Sequence, residues 1–182
     1  ASYSVSVTNE AVTYMASVGV GSPATSYDLI IDTGSSSTWV GAGKSYVKTS
    51  MSSSTGKSVS VSYGSGSFAS TKYTDTVTIL SNLVITKQSI GVASRPSGFS
   101  GVDGILGICP TVLTEGTLSG SSTTEIPTVT NNLYSQGTIS TAAVGVYFAP
   151  TTVEETTNGE LTFSGADTSK YTGTLSYEEA SS

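Results

Sequence analysis

Leu29-Ile30-Ile31-Asp32-Thr33-Gly34-Ser35-Ser36-Ser37-Thr38-Trp39-Val40 places an acid directly behind three apolar residues and ahead of a run of small hydroxyl residues. Leu29 to Ile31 reads as a short strand buried on both faces. A carboxylate at the end of such a strand needs a reason, because Asp is rarely buried without partners. Two readings fit. In one, Asp32 is a turn residue whose side chain caps the amides of Gly34 and Ser35. In the other, Asp32 is held for chemistry, with the hydroxyls of Thr33 and Ser35 donating to it and holding it rigid.

The rest of the chain frames that choice. Its 182 residues include 64 serines and threonines and 20 glycines, and only 11% are charged. This composition suits one β-rich domain with a hydroxyl-covered surface. Seven basic residues are scattered from Lys44 to Lys170 against 13 acidic ones, for a net charge of −6. No basic patch is available for nucleic acid or an anionic membrane. No apolar run reaches the roughly 18 residues of a membrane span. Ala1-Ser2-Tyr3 carries no leader pattern, as expected of a mature or trimmed chain. There is no histidine, which excludes Ser-His-Asp and Cys-His catalysis and His-ligated zinc. The single Cys109 cannot form an internal disulfide. Proton transfer therefore falls to carboxylates, Tyr, Lys or water.

Period-two alternation marks strands at Ser4–Val7 and Ser58–Val61, less cleanly at Thr74–Leu80, with others at Val144–Phe148 and Leu161–Phe163. Short Gly/Ser punctuation between them favours a folded-over sheet or barrel. One helix is expected from Pro127, as first helical residue, to a stop at Gly137. A second helical turn is expected within Ile105–Leu113. Ser50–Ser54 reads as a surface loop and Glu178–Ser182 as a frayed tail. Gly19-x-Gly21-x-x-Ala24 spells a dinucleotide fingerprint, but Pro23 leaves no helix behind it, so a hairpin turn is expected. Gly64-Ser65-Gly66-Ser67 is not a nucleophile elbow.

Asp32-Thr33-Gly34-Ser35-Ser36 followed by Trp39 resembles the active-site loop of pepsin-like aspartic proteases. Further segments resemble that family in the same order. Val61-Ser62-Tyr63-Gly64-Ser65-Gly66-Ser67 is similar to its flap, and Val102-Asp103-Gly104-Ile105-Leu106-Gly107 to the segment packed beside the catalytic loop. Ile126–Gly137 is similar to the helix before the closing strands. Gly159–Phe163 and Ser169–Gly173 are similar to the strands that end the first of two lobes. The resemblance implies an all-β, single pepsin-like lobe across residues 1–182, with one or two short helices, from a secreted fungal enzyme. It implies Asp32 as the catalytic carboxylate, Ser35 orienting its outer oxygen, and Gly34 letting the backbone approach substrate. Thr33 is implied as the residue that reaches across the lobe junction. Tyr63 is implied to close over substrate with its hydroxyl toward Trp39, with Gly64 and Ser65 at a mobile tip and Ser65 touching substrate. Read without the family, Trp39 and Tyr63 are an aromatic core pair.

The family uses two Asp-Thr/Ser-Gly loops, and this sequence holds one. Half a site is expected to be inert alone and active only with a second loop, from a twofold mate or a lost second lobe. The alternative is a catalytically silent peptide-binding module or a stable fragment. Peptide or protein is the implied substrate, and no cofactor or metal is expected. Two departures bear on activity. Ser70 stands where the family commonly has Gly, which raises the prospect of a strained positive φ. Cys109 stands where small residues are usual and is expected to be a buried small hydrophobe.

Overall fold

The structure is a computed structural model that describes all residues except 64–65, 95–98, 121–122, 154 and 180–182, together with the backbone but not the side chains of residues 63 and 66–68. Among the described residues, ten strands form one sheet: β1 Tyr3–Asn9, β2 Tyr14–Val20, β3 Thr25–Asp32, β4 Thr38–Val40, β5 Ser53–Tyr63, β6 Gly66–Leu80, β7 Leu83–Ala93, β8 Gly104–Gly107, β9 Val144–Phe148 and β10 Thr156–Phe163. Their order is β5-β6-β7-β4-β8-β3-β2-β1-β10-β9, and β6 also pairs with β2 at Gly19↔Thr78 and Val20↔Val77. That extra pairing closes β6, β7, β4, β8, β3 and β2 into a ring. The all-β lobe expected from the sequence is therefore a small barrel, with β1, β10 and β9 extending it as a flap of sheet.

The alternation explains which face each strand buries. In β1, Val5 and Val7 are buried while Ser4 and Ser6 face water. In β3, Tyr27, Leu29 and Ile31 enter the main core, and Ile30 on the other face packs against Trp39 and Ile105. The strand before Asp32 is thus apolar on both sides, as its sequence implies. At roughly 25 cal/mol per Å² of buried apolar surface, these two clusters supply the drive that fixes β3.

The single α-helix among the described residues, α1 Val129–Ser135, begins two residues later than expected. Thr128 is its N-cap: its hydroxyl accepts from the Asn131 amide at 3.3 Å, and Asn131 Oδ1 accepts from the Thr128 amide at 3.2 Å. Pro127 therefore precedes the cap, because a reciprocal capping box satisfies free amides better than a proline can. Gly137, at φ +76°, ends the element. The expected helical turn in Ile105–Leu113 is split. Residues 104–107 are strand, held between β3 and β4, and only Thr111–Thr114 forms a 3-10 turn. Ser53 and Ser54 belong to β5 rather than to a loop, and residues 168–170 form a 3-10 turn where a strand was expected. Gly21 to Ala24 is a turn between β2 and β3, as expected. No helix among the described residues is long and apolar enough to cross a membrane.

Candidate functional site

Asp32 is the last residue of β3, and its neighbours fix the backbone there. β3 and β8 run parallel from Leu29↔Gly104 to Asp32↔Gly107, while β4 lies antiparallel on the other side of β8 at Trp39↔Ile105. Residues 33–37 cross that gap. The crossing is tight enough to require two glycines. A Cβ on Gly104 would sit 1.9 Å from the Trp39 carbonyl oxygen, and one on Gly107 would sit 2.6 Å from the Ser37 amide nitrogen. The loop is also sewn to the segment after β8. The Ile108 amide donates to the Asp32 carbonyl at 3.1 Å, the Cys109 amide to the Ser35 carbonyl at 2.9 Å, and Ser36 Oγ to the Pro110 carbonyl. Both glycines lie in the Val102–Gly107 segment whose resemblance implies packing beside this loop.

The side chains are arranged more sparsely than the backbone. Asp32 is half-buried, and its Oδ1 accepts from the Gly34 amide at 2.9 Å. This is the turn cap of the first sequence reading, and it leaves the carboxylate open to solvent for the second. Gly34 serves the acid directly, since a Cβ there would meet Asp32 Oδ1 at 3.3 Å. Ser35 does not make the expected bond to Asp32. Its Oγ is buried without a partner, while its carbonyl is held by Cys109. The backbone amide of Gly34 has taken the orienting role because it lies closer along the turn. Thr33 is exposed and makes no bond to Asp32.

Trp39 is fully buried among Ile105, Ile30, Val61 and Ala93, with the Phe99 ring edge-on at 4.9 Å. The hairpin expected to be a flap is present: β5 and β6 pair antiparallel from Ser53↔Thr74 to Tyr63↔Gly66. The Tyr63 side chain, Gly64 and Ser65 lie outside the described residues. Ser70 carries no strain. It lies in β6, outside the positive-φ residues, buried, with its Oγ donating to the Val59 carbonyl at 3.2 Å. Cys109 is half-buried rather than buried.

The Asp75 and Asp103 carboxylates are committed elsewhere. Asp103 pairs in level with Asp28, four residues down β3 from Asp32, about 13 Å at strand rise. Its carboxylate accepts from the Asp28 amide at 3.0 Å and the Lys44 amide at 2.7 Å. Asp75 is buried in β6, where it accepts from the Tyr46 hydroxyl, from Ser52 Oγ at 2.7 Å and from the Thr76 amide at 2.8 Å. Burial, and then the bond to Asp75, hold the Tyr46 phenol well above its ordinary range, so it stays a donor. Among the described residues, Asp32 is the one carboxylate presented by this loop.

The eukaryotic aspartyl protease family model matches residues 13–182. Polyporopepsin of Irpex lacteus is 66% identical over 174 residues, which are 96% of this chain and 51% of that protein. Rhizopuspepsin-2 of Rhizopus niveus is 38% identical over 179 residues, covering 90% of this chain and 43% of that one. The crystal structure of aspartic proteinase from Irpex lacteus superposes with a TM-score of 0.92, again over 96% of this chain and 51% of its own. The chain thus spans about half the length of the relatives it matches, and it aligns with a single lobe of them.

Proposed function

This chain belongs to the eukaryotic aspartyl protease family, and from that premise we propose that it supplies one half of an aspartic endopeptidase centre, with Asp32 as its carboxylate. Peptide or protein is the substrate, the medium is acidic, and the protein is secreted. The observation that carries the reading is the state of Asp32: half-buried at a strand end, fixed by one amide and otherwise open.

Amide hydrolysis by this route takes two acids. Like charges about 3 Å apart cannot both ionise, the aspartic-protease dyad being the standard instance, so the pair shares one proton. One carboxylate then takes a proton from water as that water attacks the carbonyl carbon. The protonated partner hydrogen-bonds the carbonyl oxygen, and a proton is later delivered to the leaving amine. The roles belong to the pair. With Asp75 and Asp103 held by other partners and Asp28 four residues down the strand, this chain by itself is expected to be inert. A second Asp loop has to arrive on another stretch of polypeptide. The outer edge of β9 supports such an arrival. It ends the sheet with Val146 and Tyr147 exposed, beside Leu175 in a cavity of about 200 Å³. Thr33 is exposed, and in this reading it is the side chain gripped across the junction.

The test couples mass to activity. Sedimentation at micromolar concentration gives the assembly state, and an acid protease assay is run on each species with a tight transition-state mimic as inhibitor. Inhibitable cleavage is expected only in a species that holds two Asp loops. Cleavage by the lone monomer, lost in Asp32→Asn, would overturn the half-site reading.

A further inference from the structure

The two ends of the sheet are finished differently. β5 is covered: Leu118 bridges Val59, the Ser60 amide donates to the Thr117 carbonyl at 3.3 Å, and the Ser119 amide donates to the Ser58 carbonyl at 3.0 Å. β9 is bridged once on its outer side, at Val144 with Gly165, and no other described segment pairs with that side. Its residues Val144-Gly145-Val146-Tyr147-Phe148 include no charge and no proline. Natural edges usually carry such a guard, because an open row of amides and carbonyls is a template for another strand. Val146 and Tyr147 are exposed on this one, and so is Leu175, which lines the adjoining cavity with them.

We infer that this edge pairs with the same edge of a second copy of the chain, β9 against β9, antiparallel about a twofold axis at Val146. Two identical strands in that arrangement are self-complementary, and the pairing of Gly145 through Tyr147 stops short of the Val144–Gly165 bridge. The cavity beside the edge holds Lys170 and Asp167 together, so the patch offers both signs, as a surface that meets itself requires. Each copy carries −6 at neutral pH and loses that charge near pH 4.4, so association strengthens as the medium turns acidic. The choice of a copy rests on the half-site reading, since a second Asp32 is the one further Asp-Thr-Gly loop this sequence encodes. The pairing is tested apart from cleavage.

Sedimentation of the whole chain at pH 4.4 and at pH 7 reads the assembly. Dimer is expected at micromolar concentration near pH 4.4, with a dissociation constant about tenfold higher at pH 7. Val146→Lys puts a charge on an exposed edge position. It is expected to raise that constant by more than about tenfold and to leave Tm unchanged. Val146→Cys in a Cys109→Ser background is expected to give a disulfide-linked dimer in air, because residues facing each other in an antiparallel pair lie about 4.5–5.5 Å apart at Cα. Monomer up to the highest soluble concentration, a dimer that Val146→Lys leaves intact, or no cross-link through Val146→Cys would each overturn the pairing. Should Val146→Lys fail to fold, the cross-link decides. A cross-linked dimer that cleaves nothing leaves the pairing standing and counts against the half-site reading. Cleavage found only when a different polypeptide joins a monomeric chain does the reverse.

Discussion

Asp32 ends β3 half-exposed, with one backbone amide on its carboxylate, whereas Asp75 lies in mid-strand, 1% exposed, with a phenol, a hydroxyl and an amide converging on it. Both are strand aspartates in one barrel. The difference is who completes them. The lobe satisfies Asp75 by folding the 41–52 loop over it through Tyr46 and Ser52. It gives Asp32 a rigid backbone and leaves its acceptor capacity unspent. An acid that the fold completes is a structural element, and an acid that the fold leaves incomplete has its partner elsewhere.

Substitutions sharpen the contrast by separating chemistry from folding. The largest effect is expected from Asp32→Asn. In an assembly that supplies a second Asp loop, cleavage should fall by more than about a thousandfold, because paired groups act as a unit. Stability should stay within about 0.5 kcal/mol, since the amide oxygen still accepts from Gly34. Matched assays and melting curves would check this, and a large loss of stability would erase the distinction drawn between the two acids.

Gly104→Ala tests the scaffold under Asp32. Its Cβ would collide with the Trp39 carbonyl backbone, so the loss should exceed about 3 kcal/mol in denaturant titration. Asp75→Ala comes next. It leaves the Tyr46 and Ser52 hydroxyls and the Thr76 amide unpaired, for an expected cost of about 3 kcal/mol with no direct effect at Asp32. The smallest effect is expected from Tyr46→Phe, about 1.5–2 kcal/mol at neutral pH for one hydrogen bond to a charged group. It also has a pH signature. A phenol whose folded pKa is raised favours the fold fully below its ordinary value of 10.0, and that contribution is lost as pH climbs above it. Wild type should therefore lose stability on the alkaline side of pH 10 more steeply than Tyr46→Phe.

The sequence carries what is local and periodic. Alternation in Ser4–Val7 and Ser58–Val61 fixes strand and face together, and the apolar run Leu29–Ile31 fixes a doubly covered strand. What it hides are outcomes decided by distant partners. Ile105-Leu106 is strand because β3 and β4 flank it, although its own letters also suit a helical turn. The start of α1 is set by Thr128 with Asn131, a cap that competes successfully with the more conspicuous Pro127. At the site, Asp32 and its loop are legible as a motif, yet the motif assigns orientation to Ser35 where the Gly34 amide performs it. The commitments of Asp75 and Asp103 are invisible in sequence, because their partners other than Thr76 come from segments 23 to 75 residues away.

The pairing of β1 with β10 governs the order in which this lobe is built. Tyr3 lies opposite Phe163, so β1 keeps one edge vacant until β10 has been translated. The platform under Asp32 likewise waits for residue 107. Such late, non-local closure makes for slow folding and a nascent chain with sticky edges. Ser4 and Ser6, on the wet side of β1, keep that waiting strand from presenting two greasy faces to its neighbours.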